Sequence, residues 1–217
     1  MGLLSRTSES YKQLSVNEFT KAADKYETDE AGVYNICKKD YPDILAEVMK
    51  EPFEELLDAG CGTAPMVSLL AKRFPNAHFT GIDLTPKMIE VANAKNLPNA
   101  TFVCGDCEKL PFADNSFDVV ICSQSFHHYP HPDAFFNSAC RVLRKGGRLI
   151  LRDMTAPKPI LWFINKIELP ILNLIGYGDV HCYGEKEVAQ LCQQSGLTLE
   201  SFERRKGLKL HAVMRKK

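Results

Sequence analysis

Between Glu55 and Arg152 the chain alternates short apolar runs with stretches whose apolar residues recur every three or four positions. The runs Glu55–Ala59, His78–Asp83, Thr101–Gly105, Asp118–Cys122 and Arg148–Arg152 are aliphatic or β-branched and closed by turn formers, which predicts five strands. Between them, Met66, Leu69, Leu70 and Phe74 fall at helical spacing. So do Met88, Val91 and Ala92, and then Phe135, Phe136, Ala139, Val142 and Leu143. Thr85 before Pro86, and His131 before Pro132, mark two helix starts, because proline suits the first turn, where its missing N–H loses nothing. Gly146-Gly147 reads as the end of the third helix and the entry to the fifth strand.

Strand, helix, strand at this rhythm implies right-handed βαβ units, hence an α/β fold with a Rossmann-like, doubly wound, mostly parallel sheet. The C-terminus breaks the rhythm. A helix at Glu185–Ser195 is stopped by Gly196, and Leu197–Arg204 and Leu208–Met214 flank Lys206-Gly207 as an antiparallel hairpin. The first fifty residues read as a helical, amphipathic cap. Positions 1–217 read as one domain, with an apolar insertion at about 156–183.

That insertion is dense in Leu and Ile and holds the only Trp, Trp162. A membrane span needs about 20 apolar residues, and Lys166, Glu168 and Pro170 interrupt the run. Three readings are open: a helix pair packed over the sheet edge, a lid over a pocket at the strand's carboxyl end, or a membrane-contacting surface. The same face could pair two copies into a homodimer.

Composition narrows the partners. Lys and Arg (27) balance Asp and Glu (27), leaving no long-range field to attract nucleic acid. Eight scattered cysteines, several inside apolar runs, fit a reducing, cytoplasmic setting better than a disulfide framework. No signal peptide is expected, since no basic segment leads into an apolar core. Cys104 and Cys107 form a C-x-x-C pair with no second ligand pair at zinc spacing, so no metal is expected there.

The chemistry gathers at strand ends. Asp58-Ala59-Gly60-Cys61-Gly62 closes the first strand, and glycines there let backbone and ligand approach closely. Asp83 closes the second strand about 20 residues on, where an acid accepts hydrogen bonds from a ribose diol. Asp106 follows the third strand and could accept from an exocyclic adenine amine, and Ser123 follows the fourth. Any one of these acids alone reads as a helix cap. Three at successive strand ends read as one crevice.

The motifs "LLDAGCGTA", "GIDLTPKMIEVA", "GDCEKLPFADNSFDVVICSQSFHHYPHP" and "RVLRKGGRLILRDM", in this order and spacing, resemble those of class I S-adenosylmethionine-dependent methyltransferases. Within that class the chain is most similar to the small enzymes related to the ubiquinone/menaquinone C-methylases. The likeness runs from about Phe19 to about Met154. It implies S-adenosyl-L-methionine as cofactor, S-adenosyl-L-homocysteine as product and a small-molecule methyl acceptor. It further implies that Gly60, Cys61 and Gly62 lie against the methionine half, that Asp58 orders the loop or reaches the amino group, and that Asp83 holds the ribose. Leu84 and Met88 would flank the adenine, Asp106 and Cys107 would meet its amine edge, Ser123 would meet the amino group, and Tyr26 would close over the cofactor. The family commonly carries glycine where this chain has Ala64, a change expected only to stiffen the loop.

The cofactor's methyl arrives activated, so the protein's task is alignment, which contributes roughly 7–11 kcal/mol in well-oriented systems. His127 and His128 follow the fourth strand and are candidate base or acceptor-orienting groups, or simply shape the cofactor wall. A metal site drawn from His127, His128, His131 and Asp153 has no ligand spacing to specify it. Trp162, His181 and Tyr183 are candidates for the acceptor pocket. Two other functions compete: a non-catalytic cofactor-binding module, and a nicotinamide-dependent oxidoreductase. The missing third glycine of the dinucleotide fingerprint and the C-terminal hairpin both count against the latter.

Overall fold

The computed structural model describes residues 6–28 and 33–217. Helices α1 (Ser8–Ala22), α2 (Val33–Cys37) and α3 (Tyr41–Val48) precede strand β1 (Glu55–Ala59). Next come α4 (Pro65–Arg73), β2 (His78–Asp83), α5 (Pro86–Ala94), β3 (Ala100–Cys104), β4 (Phe117–Ser123), α6 (Pro132–Val142) and β5 (Leu143–Met154). The chain closes with α7 (Lys158–Phe163), α8 (Leu169–Leu174), α9 (Glu185–Ser195), β6 (Leu197–Arg205) and β7 (Lys209–Lys216). The strands form one seven-stranded sheet in the order β3-β2-β1-β4-β5-β7-β6. The first five pair in parallel, and β7 runs antiparallel to both β5 and β6.

Alternation along the strands splits the core in two, because successive side chains point to opposite faces. Leu57, Val120, Leu149 and Leu151 meet Phe135, Phe136 and Val188 of α6 and α9 on one face. Leu56, Val119, Ile121 and Ile150 meet Ile44, Val48, Val67 and Leu70 of α3 and α4 on the other. Covering both faces makes the inner strands read as nearly continuous apolar runs.

Several expected boundaries move. Helix α6 ends at Val142, and β5 starts at Leu143 and runs straight through Gly146-Gly147. The glycines serve an irregularity opposite β4 between Phe117 and Val119. At Gly147 a Cβ would come within 2.9 Å of the Arg144 carbonyl oxygen and 3.0 Å of that of Asp118. Leu208 belongs to the hairpin turn, with φ 59, and β7 begins one residue later and continues to Lys216. Helix α1 is not amphipathic: Ser15 is its one buried residue. Polar contacts hold it instead, from Arg6 to the Asn173 carbonyl and from Lys12 to Asp106.

The insertion folds as α7, a π-turn at Ile164–Glu168, and α8. Leu161 and Leu169 pack inward with Cys182. Ala156, Ile164 and Leu172 pack with them, whereas Trp162, 61% exposed, and Ile175, 70% exposed, face outward. Among the described residues, no helix is long and apolar enough to cross a membrane.

Candidate active site

The strand order reverses between the parallel neighbours β1 and β4, so the loops leaving their carboxyl ends diverge and open a crevice. Gly60 sits at its mouth with φ +80, and the N–H groups of Gly60 and Cys61 both donate to the Ile82 carbonyl, at 2.8 and 3.0 Å. A Cβ on Gly60 would fall 1.9 Å from Ser125 Oγ, so the loop admits no side chain there. Ala64, at the N-cap of α4, adopts φ 61 and ψ 43. This left-handed conformation explains why glycine suits the position, and an alanine there carries strain on the order of 1–2 kcal/mol.

Two adjoining cavities of about 570 and 470 Å³ occupy the crevice and share Phe19, Gly60, Asp83, Ser125 and His128. Tyr26, Asp58, Cys61, Gly62, Met88 and Ser123 line the first, while Leu84, Asp106 and Cys107 line the second. With Gly60 and Asp83, all eleven residues expected to touch the cofactor meet in one place.

Asp83 accepts hydrogen bonds from the Gly62 N–H at 2.9 Å and the Thr85 N–H at 2.8 Å, tying the glycine loop to the start of α5. Burial, together with the like charge of Asp83, pushes the Asp58 carboxyl up to about 7. Two buried acids in one cavity with little cationic relief suit a ligand bearing positive charge. Ser123 Oγ is a buried oxygen without a hydrogen-bond partner. These features fit S-adenosylmethionine, which carries an ammonium and a sulfonium. Asp106 caps the turn after β3 by accepting from the Glu108 N–H at 2.9 Å, and Lys12 grips its other oxygen at 2.6 Å. Lys12 also pairs with Glu108.

Behind the crevice, the His127 Nδ1 and Asp153 Oδ1 stand 2.7 Å apart, and the His127 N–H donates to the other Asp153 oxygen. Burial would lower the His127 pKa, but Asp153, Asp179 and Glu18 outweigh it and raise it to about 9. Burial and the neighbouring His127 charge push His128 down to about 4. His128 faces both cavities and packs edge-on against Phe19. His127 lines neither.

The three acceptor-pocket candidates, Trp162, His181 and Tyr183, lie away from these two cavities. Tyr183 is buried against Phe126, His181 pairs with Glu187 at 2.8 Å, and Trp162 points outward. Each belongs to the packing or surface of the insertion. Sequence reasoning missed Lys12, Tyr41, Gln124, Ser125 and Tyr129 as lining residues. Ser125 and Tyr129 had a local signal, flanking the histidine pair, and their hydroxyls join at 2.8 Å. Lys12 and Tyr41 come from the cap and had none.

Comparison with known proteins agrees with this geometry. Residues 57–151 match the family model described as a methyltransferase domain. The chain is 29% identical to the demethylmenaquinone methyltransferase of Thermotoga maritima, over 79% of this chain and 78% of that one. It is 40% identical to a phthiotriol/phenolphthiotriol dimycocerosates methyltransferase of Mycobacterium ulcerans, over 46% of this chain but 38% of that one. A solved Bacillus halodurans C-125 chain, described as a methyltransferase, superposes with a TM-score of 0.67 at 28% identity, over 76% of this chain and 71% of that one. Fold, crevice and comparisons together support a methyltransferase that uses S-adenosylmethionine. Within that class its similarity is to the methyltransferases of the type 11 group, matched over residues 57–151.

Proposed function

We propose that the acceptor is an apolar molecule, a quinone or another lipid, and that it reaches the crevice from the side of α7 and α8. The observation that carries this is the outward apolar face of the insertion. Ile160, Trp162, Phe163, Ile171, Leu174, Ile175 and Tyr177 are all exposed on a segment that leaves the carboxyl end of β5. Contiguous exposed apolar surface on a soluble fold marks an interaction site. The insertion also closes on the site: Asn173 Nδ2 donates to the Asp179 carbonyl at 2.7 Å, and the Val180 N–H donates to the His127 carbonyl at 2.8 Å. The Thermotoga and Mycobacterium relatives are named for a quinone and a lipid acceptor.

Bound cofactor would supply the activated methyl. Gly60 and Gly62 leave room for its methionine portion, Ser123 and Asp58 offer acceptors to its amino group, and Asp83 and Asp106 sit where the ribose and adenine hydrogen bonds would end. Tyr26 and Phe19 close the crevice from the cap, which keeps water from the sulfur. His128, on the wall common to both cavities, orients the acceptor.

The test is a methylation screen with S-adenosylmethionine, reading methylated product by mass spectrometry. Reduced demethylated quinones and acylated phenols in detergent should be turned over in preference to water-soluble catechols, amines and thiols. Turnover of the soluble acceptors alone would reject the reading. Replacing Trp162, Phe163 and Ile175 together by serine should raise KM for the lipid acceptor and leave cofactor affinity unchanged.

A further inference from the structure

We propose that His127, His128 and Asp179 form a binding site for a divalent cation of the zinc type at the inner wall of the crevice. His127 Nε2 lies 3.4 Å and His128 Nδ1 lies 3.3 Å from the same oxygen, Asp179 Oδ1. All three atoms fall within 4.8 Å of one another. Tetrahedral coordination with bonds of about 2.0–2.1 Å places neighbouring ligand atoms about 3.3–3.4 Å apart. Those separations are long for charge-assisted hydrogen bonds, which run at about 2.7–2.9 Å. They match two edges of a zinc tetrahedron.

Three further observations point the same way. His128 Nδ1 is a buried nitrogen with no hydrogen-bond partner, on an imidazole only 12% exposed. Glu18 Oε2, from α1, is likewise buried and unpartnered. Its charge acts on both Asp179 and His127. Finally, His127 meets Asp153 through Nδ1 at 2.7 Å, which turns Nε2 toward Asp179. A ligating histidine almost always has its second nitrogen held by such a carboxylate, and losing that carboxylate costs about 10–100-fold in metal affinity.

Two imidazoles and one carboxylate suit zinc, cobalt or ferrous iron better than magnesium or calcium, which prefer oxygen-only sets. Three protein ligands leave a fourth position. His128 lines both cavities, so that position opens on the side where the acceptor is proposed to lie, and an acceptor oxygen there would be held as its more nucleophilic anion. The cation site goes beyond the acceptor reading and is tested without any acceptor.

The experiment titrates metal-free, reduced full-length protein with Co²⁺ and then Zn²⁺. One equivalent of Co²⁺ should bind with the intense visible bands of tetrahedral coordination and no thiolate charge-transfer band, and Zn²⁺ should displace it. Asp179→Asn and His128→Gln should each weaken Co²⁺ by at least about tenfold, and Asp153→Asn by about 10–100-fold. Cys104→Ser should change nothing. A thiolate band, equal affinity in the wild type and Asp179→Asn, or no saturable binding would each overturn the proposal. Should one variant unfold, the wild-type spectrum and the remaining variants still decide it.

Discussion

Gly60 and Ser125 are so closely packed that a methyl group on the one would lie 1.9 Å from the hydroxyl oxygen of the other. Gly60 also holds φ +80, whereas a Cβ on Gly62 (φ +55) would meet nothing nearer than Tyr26 Cε1 at 4.0 Å. Alanine should therefore separate the two glycines. Gly62→Ala should cost roughly the 1–2 kcal/mol of left-handed backbone strain. Gly60→Ala should cost clearly more and cut cofactor affinity, because Ser125 must move. Ser125→Gly in the Gly60→Ala background should restore part of the loss, as expected for a coupled pair. Thermal melts with and without S-adenosylhomocysteine read both effects, and equal responses at the two glycines would contradict the packing.

Lys12 fastens α1 over the second cavity through Asp106 and Glu108. The two acids outweigh the burial of the ammonium and raise its pKa above the ordinary lysine value, so the clasp is charged at neutral pH. Asp106 keeps lone pairs for an adenine amine while Lys12 is bound. Lys12→Met should thus loosen the cover without destroying the site. Dissociation of S-adenosylhomocysteine should accelerate by about tenfold, in line with one partly exposed charge-assisted bond. Stopped-flow displacement measures this, and an unchanged rate would show that α1 does not gate the crevice.

What the sequence made legible is what short-range pattern encodes. Apolar period and turn formers placed the strands, and glycine or acid at each strand end marked the residues that line the crevice. Long-range pairing left no such trace. Lys12 and Asp106 are 94 positions apart, and nothing in the polar helix α1 advertises that it lies across a cavity. Asp179 sits in a loop with no periodicity, so its meeting with His128 depends on the path of α7 and α8. Composition left Trp162 open, since a Leu- and Ile-rich segment suits a packed helix pair, a lid or a contact surface alike, and this side chain is 61% exposed. Gly146-Gly147 looked like a helix stop because a bulge and a helix end call for the same residue.

Asp40 is fully buried and joins the cap to the sheet. It meets Arg152 Nη2 at 2.9 Å, Lys209 Nζ at 2.7 Å and Gln124 Nε2 at 2.8 Å. Removing the acid from this cluster leaves the buried Arg152 with Asp43 alone, at 3.1 Å, and takes one partner from Lys209, a loss of up to about 3–5 kcal/mol. Asp40→Ala should show that loss in urea melts, whereas a surface pair such as Lys87–Glu90 should give less than about 1 kcal/mol when broken. Since Gln124 lines the first cavity, the variant should also bind cofactor more weakly. Full stability in Asp40→Ala would mean that the cap is held by apolar packing alone.

Asp58 predicts a pH dependence whose sign follows from its surroundings. Burial and the nearby Asp83 raise its carboxyl from 3.8 to about 7. A folded-state pKa above the unfolded one means that this group favours folding most below pH 4. That contribution is lost as pH rises through 7. A cationic ligand reverses the preference, because an ammonium or sulfonium beside Asp58 favours the ionised form. Binding must then release a proton near neutrality, and affinity must rise with pH. The dissociation constant of S-adenosylmethionine should fall between pH 6 and pH 7 by up to about tenfold per unit, the limit for one linked proton, and level off above 7. Asp58→Asn should flatten this profile while leaving the fold intact, since the amide is nearly isosteric and carries no charge to bury. Calorimetry at pH 6.5 in buffers of different ionisation enthalpy counts the proton directly. A flat wild-type profile, or proton uptake in place of release, would show that Asp58 does not face the cofactor's positive charge.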